Sequence, residues 1–253
     1  TIEGTGSVTV TATKAGGNNF EDAVATGAIT VKKAAQADFT VSGVPATVTY
    51  GDAEFTLSAA GGSGAGAVSY EVTDGNSVFV SEDGTVSVAA VGTATITVTK
   101  SGGNHFEDAT AEIQITVNPA VPAIAWSEGQ KTLTYTGKAV EADSLPELTV
   151  TLAKGEAFTG TIVYSYSNLE GGEAVAGLPA NAGRYAVVAS IPASANYTDA
   201  QSAPLTLTIN KSTPDIAFND SYTPGGAYDG LERPLPTEEQ LTLTGAAYGD
   251  VDF

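Results

Sequence analysis

A ten-residue phrase that occurs twice at a fixed distance constrains this chain more than any other feature. Residues 14–23 read KAGGNNFEDA and residues 100–109 read KSGGNHFEDA, and each copy leads into a segment that ends Ile-Thr-Val. The phenylalanines of the two copies, Phe20 and Phe106, are 86 positions apart. A repeat of this kind predicts an array of small, similar modules, each of which contacts mainly its neighbours.

Apolar and polar residues alternate with period two along most of the chain. In residues 93–98, for example, Ala94, Ile96 and Val98 occupy one face and threonines occupy the other. This alternation predicts half-buried antiparallel strands. Clusters of Gly, Asn and Asp separate the strands and predict turns. Short strands at this spacing indicate an all-β sandwich of two sheets.

A third, more divergent copy of the repeat sets the module boundaries. Gly183 aligns with Gly92, Tyr197 aligns with Phe106, and the segment that opens at Pro122 recurs at Pro214. We therefore expect two whole modules, flanked by the C-terminal part of one module and the N-terminal part of another: 1–33, 34–119, 120–211 and 212–253. The partial modules at both ends indicate a piece of a longer protein. The joints are short and two contain proline, which predicts a semi-rigid rod.

Several segments resemble bacterial immunoglobulin-like repeats, especially the MBG-type modules of large Gram-positive surface or secreted proteins. The segments that carry the resemblance are VTYGD at 48–52, GTATITVTK at 92–100, YTGK at 135–138 and LPANAGRY at 178–185. The resemblance implies tandem immunoglobulin-like β-sandwich modules arranged as a rod, and it implies no catalytic residues. Phe20 and Phe106 stand where such modules often have Tyr, so Tyr197 is the copy able to form a tyrosine-corner hydroxyl bond.

From the repeat and the resemblance we expect a structural or adhesive stalk segment of a bacterial cell-surface protein, located outside the cell. The alternative is an accessory carbohydrate- or protein-binding module of a secreted multidomain enzyme. The expected partners are neighbouring modules of the same chain and an unidentified host or surface ligand, with glycans among the candidates.

Charge and composition exclude several other classes. A net charge of −19 argues against nucleic acid and anionic membranes as partners. No apolar run approaches the roughly 18 residues of a membrane-spanning helix, so we expect no membrane insertion within this segment. The chain has no Cys, which removes disulfides and thiol chemistry. The single histidine, His105, is replaced by Asn19 in the other copy and is interpreted as a polar loop residue, so we expect no enzyme activity.

The repeated phrase has a structural and a chemical interpretation. In the first, its glycines turn the chain and its aromatic residue plugs the end of a sandwich. In the second, side-chain oxygens bind calcium, which requires six to eight oxygen ligands. The candidate ligands are Glu107 and Asp108 in the phrase, and Asn219 and Asp220 near the last joint. We expect the structural interpretation and no cofactor, and calcium is the alternative.

Two further features have competing interpretations. Trp126, Tyr164 and Tyr166 form either a sugar-stacking platform or part of a core, and we expect a core because Trp126 aligns with Phe218. Lys100, the one lysine in residues 36–119, is the candidate for a Lys–Asn isopeptide bond. Its place at a strand end beside a glycine turn argues against a buried cross-link.

Overall fold

Regular secondary structure is almost wholly β-strand in the computed structural model of this chain, which describes residues 3–219 and 237–244. It has two compact units: unit 1 comprises Thr1–Val121 with Ala193–Thr198, and unit 2 comprises Pro122–Pro192 with Asp199–Phe253. The helices within the described ranges are three-residue 3-10 turns at Ala142–Ser144, Ala153–Gly155 and Glu238–Gln240. In this part of the chain, no helix is long and apolar enough to cross a membrane. The expected all-β fold class is confirmed.

Unit 1 begins with a long antiparallel hairpin. β1 (Gly6–Lys14) pairs with β2 (Ala23–Val31) along its full length, and Val8 lies opposite Ile29. The period-two pattern holds in both strands, but Val8 and Ile29 remain 56% and 52% exposed. The apolar face of this hairpin therefore lies outside the core of unit 1.

The remaining strands of unit 1 form an immunoglobulin-like sandwich. They are β3 (Thr40–Ser42), β4 (Val48–Thr49), β5 (Phe55–Thr56), β6 (Ser58–Ala60), β7 (Val68–Gly75), β8 (Val78–Val80), β9 (Thr85–Val88), β10 (Gly92–Lys100) and β11 (Ala109–Asn118). One sheet has the order β4-β11-β10-β7, and the strands opposite pair as β5-β9-β8 and β3-β6. This connectivity matches strands C, F and G on one side and A, B, E and D on the other.

The core of this sandwich comes from the apolar face that the alternation predicts. Ala94, Ile96 and Val98 on β10 are almost fully buried, and so are residues on the neighbouring and opposite strands: Leu57, Val78, Val86, Ile115 and Val117. Burying each of the larger side chains contributes about 1.5–3 kcal/mol. The threonines of β10 lie on the other face, as the pattern predicts.

Unit 2 repeats the arrangement with a larger sheet. Its strands are β12 (Ala123–Trp126), β13 (Gln130–Thr134), β14 (Leu148–Thr151), β15 (Val163–Asn168), β16 (Ala174–Val175), β17 (Gly183–Ile191), β18 (Ala200–Gln201), β19 (Leu205–Asn210), β20 (Asp215–Phe218) and β21 (Leu241–Thr244). The six-stranded sheet has the order β13-β19-β17-β15-β16, with β18 also paired to β17, and β12-β14 and β20-β21 are separate pairs.

A tyrosine organises the core of unit 2. Tyr185 is buried among apolar residues of the same cluster: Val140, Leu145, Tyr166, Val187, Leu205, Leu207 and Ile209. Its hydroxyl donates to the Asn181 carbonyl oxygen at 2.9 Å. This is a hydroxyl bond of the tyrosine-corner kind, which ties the start of a central strand to the backbone just upstream. The sequence analysis did not single out Tyr185 for this role.

Candidate functional site

The repeated phrase forms the hairpin loop between the antiparallel neighbours β10 and β11, and its own polar groups close it. The Gly102 amide donates to Asp108 Oδ1 at 2.9 Å, and the Phe106 amide donates to the Gly102 carbonyl at 3.3 Å. The first copy is braced in the same way, because the Gly16 amide donates to Asp22 Oδ1 at 2.7 Å. The aspartate of the phrase therefore serves as a loop brace in both copies.

The first glycine of each Gly-Gly pair lies where no side chain fits. A Cβ atom on Gly102 would lie 2.2 Å from the Phe106 carbonyl oxygen, and a Cβ atom on Gly16 would lie 2.1 Å from the Phe20 carbonyl oxygen. In both copies the chain thus folds back onto the glycine. This close approach gives a physical reason for glycine at this position in both copies.

The same hairpin loop also binds the backbone at Ala34, where the expected module 34–119 begins. The Ala34 amide donates to the His105 carbonyl at 3.0 Å, and the Glu107 amide donates to the Ala34 carbonyl at 2.8 Å. Within unit 1, the loop segment Ala193–Thr198 forms the same pair of hydrogen bonds with Ala120. The Ala120 amide donates to the Asn196 carbonyl at 3.0 Å, and the Thr198 amide donates to the Ala120 carbonyl at 2.9 Å.

Gln36 makes a set of side-chain hydrogen bonds to the backbone that the sequence did not predict. Its Nε2 donates to the carbonyl oxygens of Lys100 and Glu107, both at 2.9 Å, and its Oε1 accepts the Gly64 amide at 2.9 Å. One half-buried side chain therefore joins three backbone segments. Gln36 belongs to no repeated motif, because Pro122 stands at the corresponding place after Ala120, so no repeat signal marks it.

The hairpin loops at 193–198 and 100–109 have different surroundings. In unit 1, Asn196 Oδ1 accepts the Val91 amide at 3.1 Å, and the Tyr197 ring packs edge-on against Tyr50 with centroids 5.5 Å apart. Thr5 Oγ1 donates to the Asn104 carbonyl at 2.7 Å in the other loop. These contacts bind each loop to residues far away in sequence.

The burial of the loop aromatic differs among the three copies. Tyr197 is 8% exposed, Phe106 is half-buried, and Phe20 is 82% exposed. The prediction that this aromatic ring is buried is therefore right for Tyr197, partly right for Phe106 and wrong for Phe20. The ring is buried only where another segment lies against it.

The candidate calcium ligands do not share one set of contacts. Asp108 accepts the Gly102 amide, and Asn219 Nδ2 donates to the Glu239 carbonyl at 2.8 Å. Glu107 lies exposed beside Asp108, and Asp220 lies outside the described residues. Among residues 3–219 and 237–244, no three His, Cys, Asp or Glu side chains are grouped so that they could hold a metal ion.

Lys100 and His105 both make hydrogen bonds with backbone groups of their own module. The Lys100 ammonium donates to the Gly61 carbonyl at 2.9 Å, across a turn of the same module. This contact places the ammonium on a backbone oxygen rather than on an asparagine side chain. His105 is exposed, and its backbone carbonyl accepts the Ala34 amide.

Of the aromatic residues that could have formed a sugar platform, Tyr166 belongs to the buried core of unit 2, and Trp126 and Tyr164 are half-buried. The Trp126 and Tyr164 rings stack with centroids 6.0 Å apart and both pack against the buried cluster, which contains Tyr166. The indole N–H of Trp126 donates to Ser202 Oγ and to the Ala203 carbonyl, both at 3.1 Å. The expected core role is confirmed for Tyr166.

Tyr166 carries a buried hydroxyl with no hydrogen-bond partner in the described part of the chain. Burial raises its pKa, and the nearby Tyr164 adds to the shift. An unsatisfied buried hydroxyl costs about 1–3 kcal/mol. We therefore expect Tyr166→Phe to raise the free energy of unfolding of unit 2 by about 1 kcal/mol, measured by urea titration with Trp126 fluorescence.

The raised pKa also predicts a pH dependence. Above pH 10 the unfolded tyrosine loses its proton while the folded one keeps it, so folding stability falls as pH rises. Tyr166→Phe should reduce this alkaline loss in titrations between about pH 8 and pH 11. An unchanged pH slope would contradict the assignment.

The fold and its loops place the chain in the class of tandem immunoglobulin-like β-sandwich proteins. No family model matches the chain, and no curated protein matches it. Among solved structures it is similar to mouse clustered PcdhgC3 EC1-3, at 18% identity over 83% of this chain and 79% of that chain, with a TM-score of 0.31. It is also similar to the S-layer protein SbsC domains 4 and 5, at 15% identity over 70% and 100%, with a TM-score of 0.27.

The chain is shorter than other structures to which it is similar. It spans 61% of the protocadherin gammaB7 EC3-6 chain, at 11% identity over 85% of this chain and a TM-score of 0.27. It spans 34% of the surface layer protein SbsC, domains 1-6, at 16% identity over 85% of this chain and a TM-score of 0.27.

Proposed function

We propose that this chain is a structural and adhesive stalk segment of a bacterial cell-surface protein, exposed outside the cell and built from MBG-type modules. The observation that carries the proposal is the parallel pairing of the second strand of each module with its last strand. In unit 2, β13 pairs with β19 from Gln130↔Thr206 to Thr134↔Asn210. In unit 1, β4 pairs with β11 at Val48↔Val117 and Thr49↔Asn118.

A parallel pair between a strand near the start of a module and its last strand resists extension for a geometric reason. Tension along the chain pulls these two strands in opposite directions. When those strands are parallel neighbours, the force acts along them and loads their hydrogen bonds together in shear. An antiparallel hairpin pulled at its two ends would instead open one bond at a time. A segment that must hold a binding domain away from a cell wall needs the first behaviour.

The hairpin loops support the same function, because they hold the backbone at Ala34 and at Ala120 by paired hydrogen bonds. We extend the proposal to the four-module division at 1–33, 34–119, 120–211 and 212–253, to a rod-like array, and to neighbouring modules as partners. The adhesive ligand would be a protein or a glycan bound at an exposed surface.

Two backbone bonds define which residues of β13 clamp β19. Thr206 N donates to Gly129 O at 3.0 Å and Tyr135 N donates to Asn210 O at 2.8 Å. Because successive residues of a strand point their backbone groups to opposite sides, the N–H of Lys131 faces β19 and the N–H of Thr132 faces away. β13 is an edge strand, where proline is tolerated if its missing N–H would have faced solvent.

The full chain stretched between handles tests the proposal. We expect module 120–211, with five paired positions, to unfold at a higher force than module 34–119, with two. Lys131→Pro should lower the force of the stronger event and speed unfolding at fixed force about fivefold or more, the effect of roughly 1 kcal/mol.

Thr132→Pro is the matched control and should leave the stronger event nearly unchanged. Circular dichroism of both variants checks that the sheet persists. Equal weakening by the two prolines, or a single unfolding force for both modules, would contradict the proposal that the β13–β19 pair resists the applied force.

A further inference from the structure

We propose that the Tyr135 end of unit 2 is a docking surface for a hairpin loop, and that its occupant is residues 16–22 of a second copy of this chain. The surface is an open pocket, here called the receiver surface, lined by Tyr135, Asn181, Ala182, Lys211, Ser212 and Pro214. The proposal is independent of the strand clamp, because the receiver surface uses side chains beyond the ends of β13 and β19.

Unit 1 shows how such a surface receives a loop. Tyr50 directly follows β4, and its amide donates to the Asn118 carbonyl at 2.9 Å. Asn196 and Tyr197 of the segment Ala193–Thr198 lie on this end of the module. Asn196 accepts the Val91 amide at 3.1 Å through its side chain, and the Tyr197 ring meets the Tyr50 ring at 84°.

The receiver surface contains the counterparts of those contact residues. Tyr135 directly follows β13, and its amide donates to the Asn210 carbonyl at 2.8 Å, as Tyr50 does to Asn118. Ala182 precedes Gly183 at the start of β17, as Val91 precedes Gly92. Ser212 follows Asn210 by two positions, as Ala120 follows Asn118.

Burial distinguishes the two ends. Tyr50 is only 6% exposed, with the Tyr197 ring packed against it. Tyr135 is half-buried, although it packs against its own core as well. The receiver surface thus has the residues that correspond to Tyr50 and Val91, with more ring area open to a partner. Burying a second aromatic ring there would remove apolar area from water.

The loop at residues 16–22 has the features of the occupant. Asn19-Phe20 aligns with Asn196-Tyr197, and Phe20 is 82% exposed. The loop is already closed, by mutual backbone bonds between Gly17 and Phe20 at 3.0 and 3.2 Å and by the Gly16–Asp22 bond. A preformed loop loses little conformational freedom on binding.

Charge suits this occupant, and exposure of the ring favours it over the other loop of the repeat, which carries the same Glu-Asp pair. Glu21 and Asp22 follow Phe20, and the receiver surface contributes the Lys211 ammonium. In a chain of net charge −19, such an acidic-to-basic match selects one orientation among many repulsive ones. The loop at 100–109 has His105 in place of the asparagine, and its Phe106 is half-buried.

Sedimentation of the intact chain over a range of concentrations tests the proposal. A contact of one loop and one pocket is small, so we expect weak self-association, with a Kd between about 10 µM and 1 mM. Phe20→Ala and Tyr135→Ala should each weaken it tenfold or more. Lys211→Glu and added salt should weaken it as well, because exposed charges are screened.

Phe79→Ala is the matched control, because Phe79 is 67% exposed but belongs to neither surface. It should leave the association unchanged. A second measurement uses the absence of cysteine: copies with Asn19→Cys mixed with copies with Ala182→Cys should form a disulfide-linked heterodimer. A chain that stays monomeric to about 1 mM, associates equally well without Phe20, or loses association in Phe79→Ala overturns the proposal.

Discussion

Replacing Tyr197 with alanine is expected to lower the free energy of unfolding of unit 1 by about 3–5 kcal/mol, as for other buried aromatic residues. Its ring is 8% exposed and packs edge-on against Tyr50 at 5.5 Å. Truncation removes this ring contact and leaves a cavity beside Tyr50. Hydrogen exchange of the β10 amides, under conditions where they open only with the whole unit, reports this stability.

The repeat supplies matched controls for this prediction. Phe20→Ala removes the aromatic at the same position of the phrase, yet its ring is 82% exposed and the change should stay within about 0.5 kcal/mol. Phe106→Ala should fall between the two, since its ring is half-buried. Equal losses for Tyr197 and Phe20 would show that the phrase stabilises its loop locally and that the contact with Tyr50 adds nothing.

Gly102→Ala is expected to destabilise unit 1 by about 2–3 kcal/mol. The added Cβ would lie 2.2 Å from the Phe106 carbonyl and 2.3 Å from the Glu107 carbonyl, both of which are backbone atoms that cannot rotate away. Forcing extra atoms into such a contact moves backbone and typically costs 1–3 kcal/mol. The loop would open, and the Ala34 pairing would be lost with it.

A substitution at the neighbouring Gly103 distinguishes the effect of steric contact from the effect of backbone conformation. Gly103 has φ +63° and no heavy atom within 4 Å of a built Cβ. Gly103→Asn should therefore cost about 1 kcal/mol or less, because asparagine tolerates left-handed backbone. Chemical denaturation of the two variants, with exchange of the same β10 amides, gives the comparison. Equal costs for both substitutions would contradict the close-approach argument.

The period-two pattern predicted the fold class well because each strand carries its own signal. In β10 the alternation of Ala94, Ile96 and Val98 with threonine states which face is buried, and the structure buries that face. The same pattern in β1 predicts an apolar face equally well, yet Val8 remains 56% exposed. A pattern specifies which face is apolar, and burial requires a second surface.

Polar side chains with distant partners escaped prediction. Gln36 bridges backbone atoms 64 and 71 positions away, and nothing in its immediate neighbours marks it. Tyr185 stands in a strand whose alternation explains the ring, and only the turn upstream reveals the use of its hydroxyl. Such roles depend on contacts that form when strands assemble.

The sequence by itself determined the repeat, the strands and the turns, together with the places where only glycine is accommodated. These properties follow from local sterics and from the alternation of apolar residues, which neighbouring positions encode. Tertiary structure decided which copies of the phrase bury their aromatic ring and which do not. Asn19-Phe20 and Asn196-Tyr197 are nearly the same dipeptide, but only the second meets Val91, 105 positions from Asn196, and the Tyr50 ring. Burial is a property of the assembled surfaces, so equal sequence at two loops gave unequal structure.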